Sequence, residues 1–230
     1  MAHNDFSAES PENPEEKCTC ALVLDTSGSM SGSPINELND GVERFLSEIE
    51  GDPVASDRLE VSVITFDSKV DTAVEPALVH NISMPTLKAN GSTKLVDGVR
   101  EGIDKVEARK NWYKQTGQPH KRPWVILITD GSPDSGQDVD GLAKDISDGM
   151  NSKHFHFFAV GVKGANMGTL QQLSSDTMQP AKLEGLKFGE FFKWLSNSLG
   201  QDGITGAEKG EEVTMADGAQ DWMAGGITVD

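Results

Sequence analysis

Ala21-Leu22-Val23-Leu24-Asp25-Thr26-Ser27-Gly28-Ser29-Met30 opens on four consecutive apolar residues and breaks into a polar, glycine-containing turn. A short unbroken apolar run predicts a strand covered on both faces, as in a parallel sheet. Trp124-Val125-Ile126-Leu127-Ile128 repeats the pattern ahead of Thr129-Asp130-Gly131-Ser132. Helix-period segments surround these runs. Ser33-Pro34 reads as N-cap and first helical position, and Ile35, Leu38, Val42, Phe45, Leu46 and Ile49 follow on one face until Gly51-Asp52-Pro53 ends the helix. Leu59 to Phe66 reads as a second strand. The short link Asp67-Ser68-Lys69 then leads to alternating Val70, Thr72 and Val74, which predicts an antiparallel hairpin with a half-exposed edge strand. Further helices are expected around Leu95 to Val106, Val139 to Met150, Leu170 to Leu173 and Phe188 to Leu199, with a strand from Phe155 to Val162.

This alternation predicts an α/β fold: an open, mostly parallel, doubly wound sheet with one antiparallel edge strand and helices on both faces. Ligands of such sheets collect beyond the carboxyl ends of the strands, where strand order reverses. The loops leaving Leu24, Phe66, Ile128 and Val162 are therefore the places to look for function.

The chain has 230 residues, with 37 acidic and 20 basic side chains and a net charge of −17. Nothing in that balance supplies the clustered cations that nucleic-acid binding needs. No apolar run is long enough to span a bilayer, and the start of the chain is acidic and polar, unlike a secretory signal. Neither nucleic acid nor membrane is expected as a partner, and a cytoplasmic location is. Residues 1–17 hold five acids, one base and two prolines, and are expected to be a disordered acidic arm. Residues 18–199 make the domain. Residues 200–230 form an acidic, Gly-rich tail that is either disordered or docked through Trp222.

Several residues invite a reading and receive a plain one. Cys18 and Cys20 stand two apart, a spacing poor for a disulfide, and no histidine spacing completes a metal site with them; buried thiols in a reducing cell are expected. His154 and His156 would share a strand face. Asn111 to Arg122 reads as a polar surface loop anchored by one aromatic of the Trp112-Tyr113 pair, and Gly161-Val162-Lys163-Gly164 as a turn. Asp67 and Asp134 lie on loops beside the principal site, where they either extend its binding surface or, on the plainer reading, are solvated loop carboxylates.

That site is a set of oxygens. Asp25, Ser27 and Ser29 form an Asp-x-Ser-x-Ser array in a tight turn, so three alternate side chains can face one centre. Carboxylate plus hydroxyl donors, without thiolate or imidazole, suit a hard cation such as Mg2+. Thr93, within Gly91-Ser92-Thr93-Lys94-Leu95, and Asp130 belong to the same rim of the sheet.

On these residues the chain resembles the von Willebrand factor type A family with a complete metal-ion-dependent adhesion site. The resemblance implies that Ser27, Ser29 and Thr93 bind the metal through hydroxyls, and that Asp25 and Asp130 act directly or through water. It implies Mg2+, with Mn2+ or Ca2+ as alternatives. Asp25 to Gly32 running into Pro34-Ile35, then Ile64-Thr65-Phe66-Asp67 and Thr129 to Pro133, are similar to the bacterial TerY-like tellurium-resistance subgroup. That similarity implies a stress-response or tellurite-resistance assembly with kinase and phosphatase components as partners.

The expected function is therefore a non-enzymatic, metal-dependent protein-interaction module. Hydroxyls ligate without neutralising, so the ion would keep an open position for an Asp or Glu carboxylate of a protein partner. The rival reading is an aspartate-based phosphatase using Asp25. It lacks the second carboxylate two residues on, where Ser27 stands. A secreted adhesin is disfavoured by the absent signal and disulfide framework.

Overall fold

In the computed structural model, described over residues 13, 15–130, 132–162, 164–175, 178–183, 187–200 and 223, the run Cys18–Asp25 is strand β1, buried at every position. It alternates across the sheet. Cys18, Cys20, Leu22 and Leu24 face one apolar layer, and Ala21 and Val23 the other. The remaining strands are β2 (Leu59–Phe66), β3 (Val70–Leu78), β4 (Trp124–Thr129), β5 (His156–Gly161) and β6 (Ala181–Lys182). Among the described residues they form a six-stranded sheet in the order β3-β2-β1-β4-β5-β6. All pairings are parallel except β2 with the edge strand β3, which carries the β-bulges and Pro76 that an edge tolerates. The expected architecture is observed.

Helices α1 (Ser33–Glu50) and α6 (Phe188–Gly200) cover one face, α3 (Leu95–Thr116), α4 (Val139–Asn151) and α5 (Met167–Leu173) the other. α3 packs directly on the strands because two of its facing residues are glycine. A Cβ on Gly98 would meet the Phe66 ring at 2.7 Å, and one on Gly102 would meet Val23 at 2.5 Å. The order reverses beside β1: the chain passes from β1 to β2 on one side and returns to β4 on the other. The carboxyl ends of β1 and β4 therefore lie side by side, Leu24 in register with Ile128.

Some local expectations change. Gly32, at φ 87°, rather than Ser33, is the N-cap of α1, and Ser33 is its first residue. Gly51-Asp52-Pro53 ends α1 but also starts a short helix, α2 (Pro53–Arg58). The Asp52 side chain accepts from the Val54 and Ala55 N–H groups at 2.9 and 3.1 Å, and Pro53 takes the first helical position. α3 continues through Trp112 and Tyr113 to a left-handed Gly117, so the loop expected from Asn111 begins only there. The two-residue β6 had not been anticipated. β5 begins at His156, which leaves His154 outside the strand and largely exposed. Cys18 and Cys20 are free and buried as expected.

The expected acidic arm falls mainly on residues outside the described set. Asn13 and residues 15–17 are described and contact the domain: Glu15 pairs with Arg58 at 2.8 Å, and the buried Lys17 gives its Nζ to the Asp57 carbonyl at 2.8 Å. Trp222 also lies outside the described residues. Its neighbour Met223 bridges Leu183 in antiparallel sense and packs on the core.

Tyr113 continues the helix for an electrostatic reason. Glu60, at the start of β2, is wholly buried and takes the Arg109 guanidinium and the Tyr113 hydroxyl as partners. Thr19 meets the Tyr113 hydroxyl at 3.1 Å, and the Arg109 guanidinium lies 4.2 Å from the Trp112 ring centre. Removing one member of a buried pair leaves the other charge uncompensated. Glu60→Ala should cost about 3–5 kcal/mol in urea unfolding.

His156 is buried and stacked on Trp124, ring centres 4.4 Å apart, and its Nε2 has no hydrogen-bond partner among the described residues. Burial, then the nearby Arg122 charge, pushes its pKa down to about 3. Between pH 6.5 and 5 the unfolded chain takes up this proton and the fold refuses it. Stability should therefore fall with acidification, by a slope that steepens toward about 1.4 kcal/mol per pH unit from this group. His156→Phe should flatten that slope in pH-dependent denaturation, whereas an unchanged slope would assign it to other groups.

Candidate metal centre

Asp25 ends β1 because its own carboxylate turns the chain: Oδ1 accepts the Ser27 N–H at 2.8 Å. Its other oxygen, Oδ2, accepts the hydroxyl of Thr129 at the end of the neighbouring strand β4. Thr26 holds the exit to β2 through its N–H on the Phe66 carbonyl at 2.9 Å. A single 3-10 turn, Gly28–Met30, follows, pinned by the buried Met30. Ser27 Oγ then lies 3.0 Å from Ser29 Oγ, and Ser29 Oγ donates to Asp130 Oδ1 at 2.7 Å. Four of the five expected residues thus form one connected set: Asp25 through the Ser27 amide, then Ser27, Ser29 and Asp130 through side chains. Asp25, Ser27 and Asp130 are buried, while Ser29 and Gly28 are exposed, so the set opens to solvent on the serine side.

The fifth, Thr93, comes from a separate loop carried to the same rim. The Gly28 N–H donates to the Gly91 carbonyl at 3.1 Å, and the Asn90 N–H to the Thr26 carbonyl at 2.8 Å. The stretch before it is clamped by Asn39 of α1, whose amide donates to the Leu87 carbonyl at 3.0 Å and accepts the Leu87 N–H at 2.7 Å. Gly91 turns at φ 73° over Ser68, whose hydroxyl accepts the Ser92 N–H at 3.0 Å. Thr93 itself is buried. Its N–H donates to Asp134 Oδ2 at 3.1 Å, and its carbonyl accepts from Gln137 Nε2 at 2.6 Å. Its hydroxyl has no hydrogen-bond partner among the described residues.

Sequence reading missed Asn39, Ser68, Thr129 and Gln137, and favoured solvent over the binding surface for Asp134. The carboxylates differ in use. Asp134 grips the Thr93 backbone, whereas Asp67 accepts the Lys69 N–H at 2.9 Å in its own turn. Thr129 was visible as the polar residue ending an apolar strand. Asn39 was visible as a polar residue beside the apolar stripe of α1. Gln137 carried no local signal.

The electrostatics are one-sided. Burial raises the Asp25 carboxyl above its ordinary range against the hydrogen bonds from Ser27 and Thr129, and the Asp130 charge adds to the rise. Burial raises Asp130 as well, opposed by the Ser29 hydroxyl. Neither carboxylate has an ion pair among the described residues. Also among the described residues, no three His, Cys, Asp or Glu side chains converge as a metal cage. An ion at this rim would therefore draw on hydroxyls as well as its two carboxylates. An oxygen-only donor set with two buried, uncompensated acids fits a hard divalent cation.

Comparison with known proteins agrees with the fold. The family model for the von Willebrand factor type A domain matches residues 20–183. An uncharacterised protein of Synechocystis sp. is 33% identical over 120 residues, covering 50% of this chain and 25% of that protein. The chain thus spans a quarter of that relative's length. The pilus adhesin SpaC of Lactobacillus rhamnosus GG superposes with a TM-score of 0.65 at 16% identity, over 80% of this chain and 30% of the adhesin. The ArnB paralog VWA2 of Sulfolobus acidocaldarius gives 0.57 at 15% identity, over 80% and 45%. Proximal thread matrix protein 1 of the mussel byssus, with a zinc-occupied metal-ion-dependent adhesion site, gives 0.53 at 16% identity, over 80% and 47%.

The Gly91 turn makes one expectation specific. A Cβ there would sit 2.2 Å from Ser68 Oγ as well as demanding a left-handed backbone, whereas Gly117 has a similar φ of 76° and open space. Gly91→Ala should lower stability in urea by more than about 1 kcal/mol and by more than Gly117→Ala does.

Proposed function

The chain belongs to the von Willebrand factor type A domain family, and from that premise we propose that it is a metal-dependent protein-interaction module with a metal-ion-dependent adhesion site at the β1–β4 rim. The family is generally one of adhesion and interaction modules rather than enzymes. The observation that carries the reading is the chain of contacts Ser27–Ser29–Asp130, beside the buried Asp25 and with no compensating cation among the described residues.

Ser27, Ser29 and Thr93 would hold the ion through hydroxyls, with Asp25 and Asp130 as its carboxylates. Mg2+ is the proposed ion, and Mn2+ or Ca2+ would be accepted by the same oxygens. When bound, the ion supplies positive charge at a protein surface otherwise rich in acids. The chain's own residues supply the rest. Thr129 fixes the orientation of the Asp25 carboxylate, the Gly28–Met30 turn presents Ser29 to solvent, and the Gly91–Gly28 contact brings the Thr93 loop alongside. The partner would offer one Asp or Glu carboxylate, and its overall charge would be mixed or basic, because the chain's net charge of −17 opposes an acidic approach.

The motif similarity to the TerY-like subgroup supports a bacterial cytoplasmic stress-response or tellurite-resistance assembly, with kinase or phosphatase components as partners. Among the described residues no helix is long and apolar enough to cross a membrane. The phosphatase alternative is weakened by Asp25 itself. Its two oxygens hold the turn and the neighbouring strand, Oδ1 on the Ser27 N–H and Oδ2 on the Thr129 hydroxyl, and Ser27 stands where such an enzyme needs a second carboxylate as general acid.

Mg2+ at a hundredfold excess over its Kd should stabilise the chain by about 2.7 kcal/mol. Ser29→Ala should abolish both that gain and chelator-sensitive capture of protein from cell extract. Capture that survives both chelator and Ser29→Ala would reject the metal-dependent reading. Phosphatase turnover lost in Asp25→Asn would revive the enzyme.

A further inference from the structure

The loop that follows β4 does two things at once. It begins with Asp130, one of the proposed metal carboxylates, and four residues later it reaches across to the Thr93 loop. There Asp134 forms a two-way link with Thr93: the Thr93 N–H donates to Asp134 Oδ2, and the Asp134 N–H donates to the Thr93 carbonyl, both at 3.1 Å. Gln137 closes the same grip. Its Nε2 donates to the Thr93 carbonyl at 2.6 Å, and its Oε1 accepts the Val96 N–H at 2.8 Å, at the first turn of α3. Both backbone groups of Thr93 are thereby held by side chains of the Asp130 loop. The Thr93 hydroxyl is left without a hydrogen-bond partner among the described residues.

This arrangement has an energetic meaning. A neutral hydroxyl is a weak ligand, and its contribution depends on being held in place before the ion arrives. Thr93 sits in a stretch that forms neither helix nor strand, between Gly91 and the start of α3. Its position is set by its neighbours. The Gly28–Gly91 contact fixes the side of the loop next to the serines, and Asp134 with Gln137 fixes the side next to Asp130.

We propose that Asp134 and Gln137 are positioning residues for the metal centre: through the Thr93 backbone they preset the Thr93 hydroxyl, so that one loop supplies the ligand Asp130 and holds Thr93 in place. This inference rests on the metal-dependent reading above and adds to it two residues outside the donor set. Asp134 acts by accepting a backbone hydrogen bond, not by its charge. Gln137 acts by spanning the Thr93 carbonyl and the Val96 N–H, which takes a donor and an acceptor on one amide.

The test is titration of Mg2+ into the metal-free full chain by calorimetry, beside thermal unfolding in chelator and amide exchange at Thr93. Asp134→Ala and Gln137→Ala should each weaken Mg2+ binding at least tenfold while the unfolding temperature in chelator stays near that of the unaltered chain. Asp134→Asn keeps an acceptor oxygen without the charge and should retain both affinity and Thr93 amide protection, whereas Asp134→Ala should lose both. Gln137→Glu keeps the acceptor for Val96 but not the donor to Thr93, and should behave as Gln137→Ala does. Combined with Thr93→Ala, Gln137→Ala should add no further loss, because its effect passes through the missing hydroxyl.

Wild-type affinity in Gln137→Ala and Gln137→Glu would overturn the proposal, as would equal weakening by Asp134→Asn and Asp134→Ala, or additive losses in the Thr93→Ala background. Ser29→Ala separates the two levels. Loss of Mg2+ binding in Ser29→Ala with none in Gln137→Ala overturns the positioning role alone. Undiminished binding in Ser29→Ala overturns the metal centre beneath it.

Discussion

Two acids carried to one rim by adjacent parallel strands, with no ion pair for either among the described residues, set the terms for the rest of the molecule. Asp25 ends β1, and Asp130 follows β4. The reversal of strand order beside β1 places those two ends together. Burial opposes the charge on both, and hydrogen bonds from Ser27, Thr129 and Ser29 offset only part of that opposition. An electrostatic deficit of this kind is relieved by protonation or by a cation. The oxygens around it, two serine hydroxyls and the nearby threonine, are those that a hard cation accepts without further neutralisation.

The opposite end of the same sheet solves the equivalent problem differently. Glu60 is as deeply buried as Asp25, yet Arg109 and Tyr113 close on it, and the Trp112 ring lies against the guanidinium. The fold therefore contains the means to satisfy a buried acid internally and applies them where the strands begin. Where the strands end, Asp25 and Asp130 receive, among the described residues, only hydroxyl and amide donors. The contrast separates a carboxylate paired within the fold from the two that we propose for an ion.

Much of this is legible in the sequence alone. Apolar runs such as Leu22 to Leu24 and Val125 to Ile128 declare strands buried on both faces, and the residues after them fall at the carboxyl rim of the sheet, where ligands of such folds collect. Asp25, Ser27, Ser29 and Asp130 were visible for that reason. Thr93 was visible as a hydroxyl at the entry to the helix beginning at Leu95, on the same rim, and the family resemblance gave it a role. What holds it was not, because Asn39, Asp134 and Gln137 grip backbone groups far away in sequence, and a side chain bonded to a distant peptide leaves no periodic trace. The continuation of α3 through Tyr113 was hidden similarly: its polar surface conceals a buried ionic network that no hydrophobic pattern encodes. Asp52-Pro53 misled by serving two roles, since residues that end one helix also cap the next. At two residues, β6 is too short to show any alternation.

The most direct test is a crystal structure of the full chain grown with Mn2+, whose anomalous scattering locates the ion independently of the protein atoms. A peak within about 2.3 Å of the Ser27, Ser29 and Thr93 hydroxyls, with Asp25 and Asp130 alongside, is the result this account predicts. A rim without a peak, or an ion whose ligands exclude the two serines, would contradict it.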